Sequence, residues 1–249
     1  MKSIIKVFQV AFVFIGTIVG AGLASGKEIT NFFTVYGYKS FFTIIMTGLF
    51  YIFLCNIISR ISIKHSLNSY SEVINTVSPN ILGKLTGIIT TFYLISSASI
   101  ILAGSGALLN QYFGIPKIIG SIFMAIIASL ILMRETDGLV EINSIIVPSL
   151  IIVTTTLMIL YVIFANDPIT IGSLVSSTPK LSKGVFTSGI LYCGYNILCC
   201  CGVIVPLSNE VKSKKIMTWG IILGSVLLTI ICIFINSMLM VNQPQIFQY

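Results

Sequence analysis

Lys27 and Glu28 stand side by side inside an apolar stretch, GTIVGAGLASGKEITNFF, Gly16 to Phe33. Just ahead of them the run GAGLASG, Gly20 to Gly26, concentrates the residue that weakens a helix most after proline, by roughly 1 kcal/mol per glycine. Two readings compete for these glycines. Gly16, Gly20 and Ala24 form a small-xxx-small series, and Gly22 with Gly26 forms another, which is the pattern of close helix packing. At about 100° per residue, however, Gly20 and Gly22 point about 200° apart, so the small residues thin opposite faces and one packing partner does not account for them. Local unwinding does.

Backbone unwound inside a bilayer persists only where its freed amides and carbonyls meet protein, water, an ion or a solute. The carbonyls that end one half-helix suit a cation, and the N–H groups and positive dipole end that start the next suit a carboxylate. An amino acid or similar zwitterion matches both ends. The candidate substrate-binding residues here are therefore Gly20, Ala21, Gly22, Leu23, Ala24, Ser25 and Gly26, with Glu28 as the ionisable group. A carboxylate at membrane depth is costly and tends to face a cavity or a partner. The structural alternative is a static ion pair with Lys27 or a dipole contact; neighbouring helix positions diverge by about 100°, so the two need not pair. Lys27 is given no role.

A second stretch, GVFTSGILYCGYNILCCCGVIVP from Gly184 to Pro206, carries Gly189, Gly194 and Gly202 along its length and is expected to be interrupted as well. Tyr192, Tyr195 and Asn196 bring aromatic surface and hydrogen-bonding groups to mid-depth, where a solute can be gripped, and Tyr195 and Asn196 join the candidate set. Ordinary packing, with Asn196 as an interhelical hydrogen bond, is an equally open reading of these residues. Cys199, Cys200 and Cys201 fan around a helix and cannot converge on one metal, so no metal site is expected. Ser96, Ser97 and Ser99, followed by Gly104 and Gly106, are better read as packing residues than as pocket lining.

The elements that must position these residues are membrane helices. The chain of 249 residues is 56% hydrophobic and 8% charged, with a mean hydropathy of +1.04, outside the range of soluble domains. Continuous apolar runs exclude the alternating pattern of a β-barrel. Seven helical segments are predicted, over about 6–36, 40–61, 82–113, 116–133, 139–165, 184–206 and 215–241. The first, if wholly helical, would reach about 45 Å, well beyond a hydrocarbon core of about 30 Å, so it must tilt, bend or unwind. It is too long for a signal-peptide core and is expected to be retained as a span. Ser69, Tyr70, Ser71 and Glu72 form a capping-box pattern for a short surface helix, and residues 166–183 read as a loop.

The net charge of +7 sits mostly at segment ends, where it sets topology, so nucleic acid is excluded as a partner. An inside N-terminus puts Lys2, Lys6, Arg60, Lys64, Lys84, Arg134, Lys212, Lys214 and Lys215 on the cytoplasmic side and Lys39, Lys117, Lys180 and Lys183 outside. That distribution predicts a multi-pass protein of the cell membrane with a cytoplasmic N-terminus. The six cysteines lie within apolar segments and read as small buried residues. The whole chain reads as one transmembrane domain. Its two glycine-rich segments, the first and the sixth, are spaced as expected for five-helix halves of inverted topology, 6–165 and an incomplete 184–241, although no residue-level similarity relates them.

GTIVGAGLASGKEITNFF together with LYCGYNILCCCGVIVPL, Leu191 to Leu207, resembles the YkvI-like bacterial membrane proteins over nearly the whole chain. That family is placed in the amino-acid/polyamine/organocation transporter superfamily, with the five-plus-five inverted-repeat fold of leucine transporters. The resemblance implies substrate and cation binding at the breaks of the first and sixth helices. It matches Gly20 to Gly26 to the family's break, Glu28 to its following glutamate, and Tyr195 with Asn196 to its Tyr-Asn pair. It also implies about ten spans, of which seven are present, so the chain is expected to be a fragment or a truncated gene product. In related transporters the eighth helix helps complete a sodium site beside the first break.

The function expected is secondary transport of a small solute, an amino acid or similar zwitterion, coupled to a cation, with sodium and proton both open and no other cofactor. A ligand-sensing receptor subunit on the same fold, as in spore-germination receptors, is the alternative. No enzyme is expected: His65, the single histidine, lies in a polar loop, no His-Glu-x-x-His pair is present, and Ser25 has no histidine within the spans. The expected partners are the small-molecule substrate and the lipid bilayer. The sequence carries no signal for an oligomeric state.

Overall fold

The computed structural model describes residues 2–20, 23, 26–164, 172, 174 and 183–242. Most of them are helical and none lies in a strand. Nine α-helices follow one another among the described residues: α1 (Lys2–Ile18), α2 (Lys27–Phe32), α3 (Lys39–His65), α4 (Tyr70–Val77), α5 (Ile81–Phe113), α6 (Lys117–Leu132), α7 (Glu135–Phe164), α8 (Val185–Val211) and α9 (Lys214–Val241). A 3-10 turn, Thr34–Tyr36, joins α2 to the approach to α3.

Five of these, α3, α5, α7, α8 and α9, are long and apolar enough to cross a membrane, while Ser3–Ile18 and Lys117–Leu132 are shorter apolar helices. Six of the seven expected segments therefore reappear as helices near their expected bounds, the first is divided between α1 and α2, and among the described residues five helices have the length of a span. α6 has 16 residues, about 24 Å of helix at ~1.5 Å per residue. The first segment is short because it breaks. α1 stops at Ile18, Val19 and Gly20 are not helical, Leu23 is helical, and α2 begins at Lys27 after Gly26, whose φ of 74° is left-handed. Such a φ places a β-carbon against the following carbonyl, so glycine is the residue that adopts it at little cost.

The capping pattern at Ser69 does what its residue types allow. Ser69 Oγ accepts the Glu72 N–H at 3.3 Å, and the Glu72 carboxylate accepts the Asn68 N–H at 2.7 Å, one residue further back than in the usual reciprocal box. The loop expected over 166–183 lies, apart from single positions, outside the described residues.

The core sits where α1, α2, α3, α8 and α9 meet. Phe14 and Ile15 of α1, Ile29 of α2, Tyr51 and Cys55 of α3, Tyr192 and Cys200 of α8, and Ile221 and Leu228 of α9 form one buried cluster. The largest interfaces are α3 with α8, α1 with α9, and α3 with α9. α5 and α6 pack mainly on each other, and the apolar side chains of α5, α6 and α7 are largely exposed, the state of residues facing hydrocarbon rather than water.

Small residues set the close approaches. A β-carbon on Gly220 would overlap the Val10 side chain, and one on Gly224 would lie 2.8 Å from the Phe14 ring and 3.0 Å from the Ala11 carbonyl oxygen. Gly220-Ile-Ile-Leu-Gly224 is thus the seam on which α1 rests. Gly16 meets Asn143 of α7 in the same way, whereas a β-carbon on Gly20 would meet nothing within 4 Å. Gly16 and Gly20 therefore do not share one seam: the first packs and the second belongs to the break.

The sixth segment corrects the expectation of a second break. α8 runs as one helix from Val185 to Val211, with Pro206 inside it. Its glycines are used otherwise: a β-carbon on Gly189 would overlap Thr43 of α3, so Gly189 is a contact residue, while Gly194 and Gly202 face open space. Retaining the helical hydrogen bonds of a membrane segment outweighs roughly 1 kcal/mol per glycine.

Candidate functional site

The break ends against α8 and α9, and polar side chains from both receive it. Ser188 Oγ donates to the Phe32 carbonyl at 2.8 Å, which satisfies a carbonyl left free where α2 stops. Thr34 Oγ1 hydrogen-bonds Asn236 Oδ1 at 2.9 Å, and Asn236 Nδ2 donates to Ser40 Oγ at 2.8 Å, so the turn after α2 is tied to α3 and α9 through fully buried groups. Within the half-helix itself Thr30 Oγ1 donates to the Gly26 carbonyl at 3.0 Å. These bonds let an interrupted segment persist away from water.

Glu28 lies in the first turn of α2 and is half-buried, while its neighbour Lys27 is exposed. The Glu28 carboxylate accepts a hydrogen bond from the Tyr195 hydroxyl of α8 at 3.1 Å, across 167 residues of sequence. The hydrogen-bonding groups of the pair converge beside aromatic rings. The Tyr195 ring lies 5.7 Å from Phe32, 5.3 Å from Tyr192 at 86°, and 6.4 Å from Tyr93 of α5, and Phe33 meets Tyr192 edge-on at 4.9 Å. Cys199 Sγ approaches the Tyr93 hydroxyl at 3.9 Å. An ionisable oxygen at the rim of an aromatic wall is suited to a small solute carrying a cationic or hydrogen-bonding group beside an apolar one.

Of the residues singled out from sequence, Glu28 and Tyr195 are brought together. Gly26 supplies the left-handed turn directly ahead of α2 and Glu28, Leu23 is helical and buried in the core, and Gly20 is one of two non-helical residues after α1. Ala21, Gly22, Ala24 and Ser25 lie outside the described residues. Asn196 does not reach Glu28: it is buried and donates Nδ2 to the Tyr192 carbonyl at 3.0 Å within α8. The orientation of α8 decides this, because positions 195 and 196 point about 100° apart and only one can face α2.

Phe32, Tyr93, Ser188 and Asn236 also have contacts around the break, and for the first three no local pattern announces them. Asn236 alone carried a readable signal, a polar amide deep in an apolar run, which in a membrane helix marks an interhelical bond.

Over 248 residues the chain is 28% identical to the uncharacterized membrane protein YkvI of Bacillus subtilis (strain 168), covering 97% of this chain and 68% of YkvI. Over 137 residues it is 31% identical to the uncharacterized protein YyaD of the same organism, covering 55% of this chain and 39% of YyaD. No family model matches the chain. No solved structure is significantly similar to it. It is a membrane protein homologous to another membrane protein.

Proposed function

We propose that the chain is the binding portion of a secondary transporter for a small solute, an amino acid or similar zwitterion, with the solute held at the break between α1 and α2. The observation that carries this reading is the half-buried Glu28 at the restart of an interrupted helix, hydrogen-bonded to Tyr195 against rings from α2, α5 and α8. A static structural role would favour pairing Glu28 with a cation, whereas its partner is a neutral phenol. A carboxylate that accepts from a neutral donor keeps its charge available for a cationic group, either a coupling ion or the ammonium of the solute. In this reading α1 with α2 and α6 also cross the bilayer, the N-terminus is cytoplasmic, and the membrane is the cell membrane. The leucine-transporter arrangement of inverted halves belongs to the same proposal, with a break in the first helix and an unbroken sixth.

The test is uptake of labelled amino acids, one at a time, into proteoliposomes carrying the protein or its full-length relative YkvI. Glu28→Gln, which keeps shape and removes charge, is expected to reduce the initial rate at least tenfold. Tyr195→Phe, which keeps the ring and removes the donor, is expected to reduce it several-fold. A Glu28→Gln rate equal to wild type would remove Glu28 from the mechanism. Saturable binding of a solute without accumulation in sealed vesicles would instead support a ligand-sensing receptor.

A further inference from the structure

Among the described residues, two buried hydroxyls whose protons meet no acceptor, Tyr51 Oη and Tyr192 Oη, belong to residues that line one cavity. The tyrosines are 2% and 1% exposed. The cavity lies behind Phe33, where α3, α8 and α9 meet, and has a volume of about 10 Å³. That is close to the roughly 10–15 Å³ that admits one water molecule. An unpaired hydroxyl in an apolar interior is costly, and two that share a hole of this size point to one common partner.

The chemistry of the wall identifies the partner. Thr47 and Thr229 also line the cavity. Their hydroxyl protons are already committed, Thr47 to the Thr43 carbonyl at 2.8 Å and Thr229 to the Ser225 carbonyl at 2.7 Å. Each threonine oxygen therefore offers a lone pair and no proton, whereas each tyrosine offers a proton. A molecule that accepts two hydrogen bonds and donates two matches that set. No charged side chain lines the cavity, so neither an anion nor a cation is neutralised there.

We propose that this cavity is a binding site for a single water molecule, which accepts from Tyr51 and Tyr192, donates toward Thr47 and Thr229, and so joins α3, α8 and α9. Gly48 preserves the site, because a β-carbon there would fall on the Thr229 hydroxyl. The water also has a consequence one ring away. Tyr192 meets Tyr195 edge-on at 5.3 Å, and Tyr195 donates to Glu28. By fixing the Tyr192 ring the water positions the donor of the carboxylate, whatever solute the break binds.

The test is thermal unfolding of the purified protein in one detergent, comparing wild type, Tyr51→Phe, Tyr192→Phe and the double variant. All three variants keep the rings, so core packing is retained. Each single change should lower the melting temperature by a few degrees, and the double change should lower it by no more than the larger single change, because both remove the same bridge. Shifts that add, or no shift from either, would overturn the proposal. Thr229→Val, which preserves shape, should also lower the melting temperature, and by less in the Tyr51→Phe background. Replacing chloride by gluconate, or sodium by N-methylglucamine, should leave the wild-type melting temperature unchanged; a dependence on either ion that Tyr51→Phe abolishes would make the ligand that ion and overturn the water. In a crystal structure resolving ordered waters, a density peak within hydrogen-bond distance of both phenols supports the site, and a direct bond between the two phenols refutes it.

Discussion

Glu28 and Tyr195 show how a hydrogen-bonded pair is assembled from residues whose types are readable and whose meeting is not. A glutamate after a glycine run signals an ionisable group near a break, and a tyrosine at mid-depth signals a polar aromatic. Nothing local relates positions 28 and 195; α8 must present Tyr195 rather than Asn196 to α2, and that rotation is set by packing, with Gly189 seated on Thr43. Gly26 is the residue whose role follows most directly from its type. Its φ of 74° is strained for any L side chain, and a β-carbon would lie 3.3 Å from Leu239 Cδ1. Gly26→Ala is expected to destabilise the protein by about 1–2 kcal/mol, read as a lower detergent melting temperature. An unchanged melting temperature would mean that the restart of α2 does not need a left-handed residue.

Among the helices, the first and eighth show why glycine content alone does not locate a break. Both segments are rich in glycine, yet only the first is interrupted. In α8 the glycines are spread along the helix, so each can be absorbed separately, one by contact with α3 and two by facing outward. In the first segment they crowd into seven residues ahead of two charges, and the cost accumulates in one place. The contrast yields a pair of expectations. Gly194→Ala, in open space on a continuous helix, should be neutral or stabilising by up to about 1 kcal/mol, whereas Gly189→Val should force α3 and α8 apart and destabilise by about 1–3 kcal/mol. Both are read from thermal unfolding in detergent, and a destabilising Gly194→Ala would argue for an unwound α8. The α1–α9 seam was legible in principle, since Gly220 and Gly224 have the spacing of a close-packing motif.

At the scale of the molecule, the buried cluster joins α1, α2, α3, α8 and α9 with Val147 of α7, and α5, α6 and most of α7 lie at its side with their apolar faces exposed. The break is therefore held by the most tightly packed helices, with α5 contributing Tyr93 as one wall. The basic residues predict how this assembly is oriented. With all six native cysteines replaced, a single cysteine at Ser78 should react with a membrane-impermeant maleimide only after cells are permeabilised, and one at Lys117 should react in intact cells. The reverse pattern would place the N-terminus outside and invert the positive-inside assignment.

Hydropathy, glycine clustering and the capping pattern at Ser69, all local properties of the chain, were sufficient to predict a helical membrane protein, the approximate bounds of its later segments, a break in the first segment and the short helix begun at Ser69. Each depends on transfer free energy, backbone cost or capping hydrogen bonds among neighbouring residues, which a linear sequence contains in full. Tertiary structure alone decided that the sixth segment stays helical, that Tyr195 and not Asn196 meets Glu28, and that Tyr51 and Tyr192 share one cavity. These depend on how each helix is rotated and which helix lies beside it, and that follows from packing summed over contacts far apart in the chain.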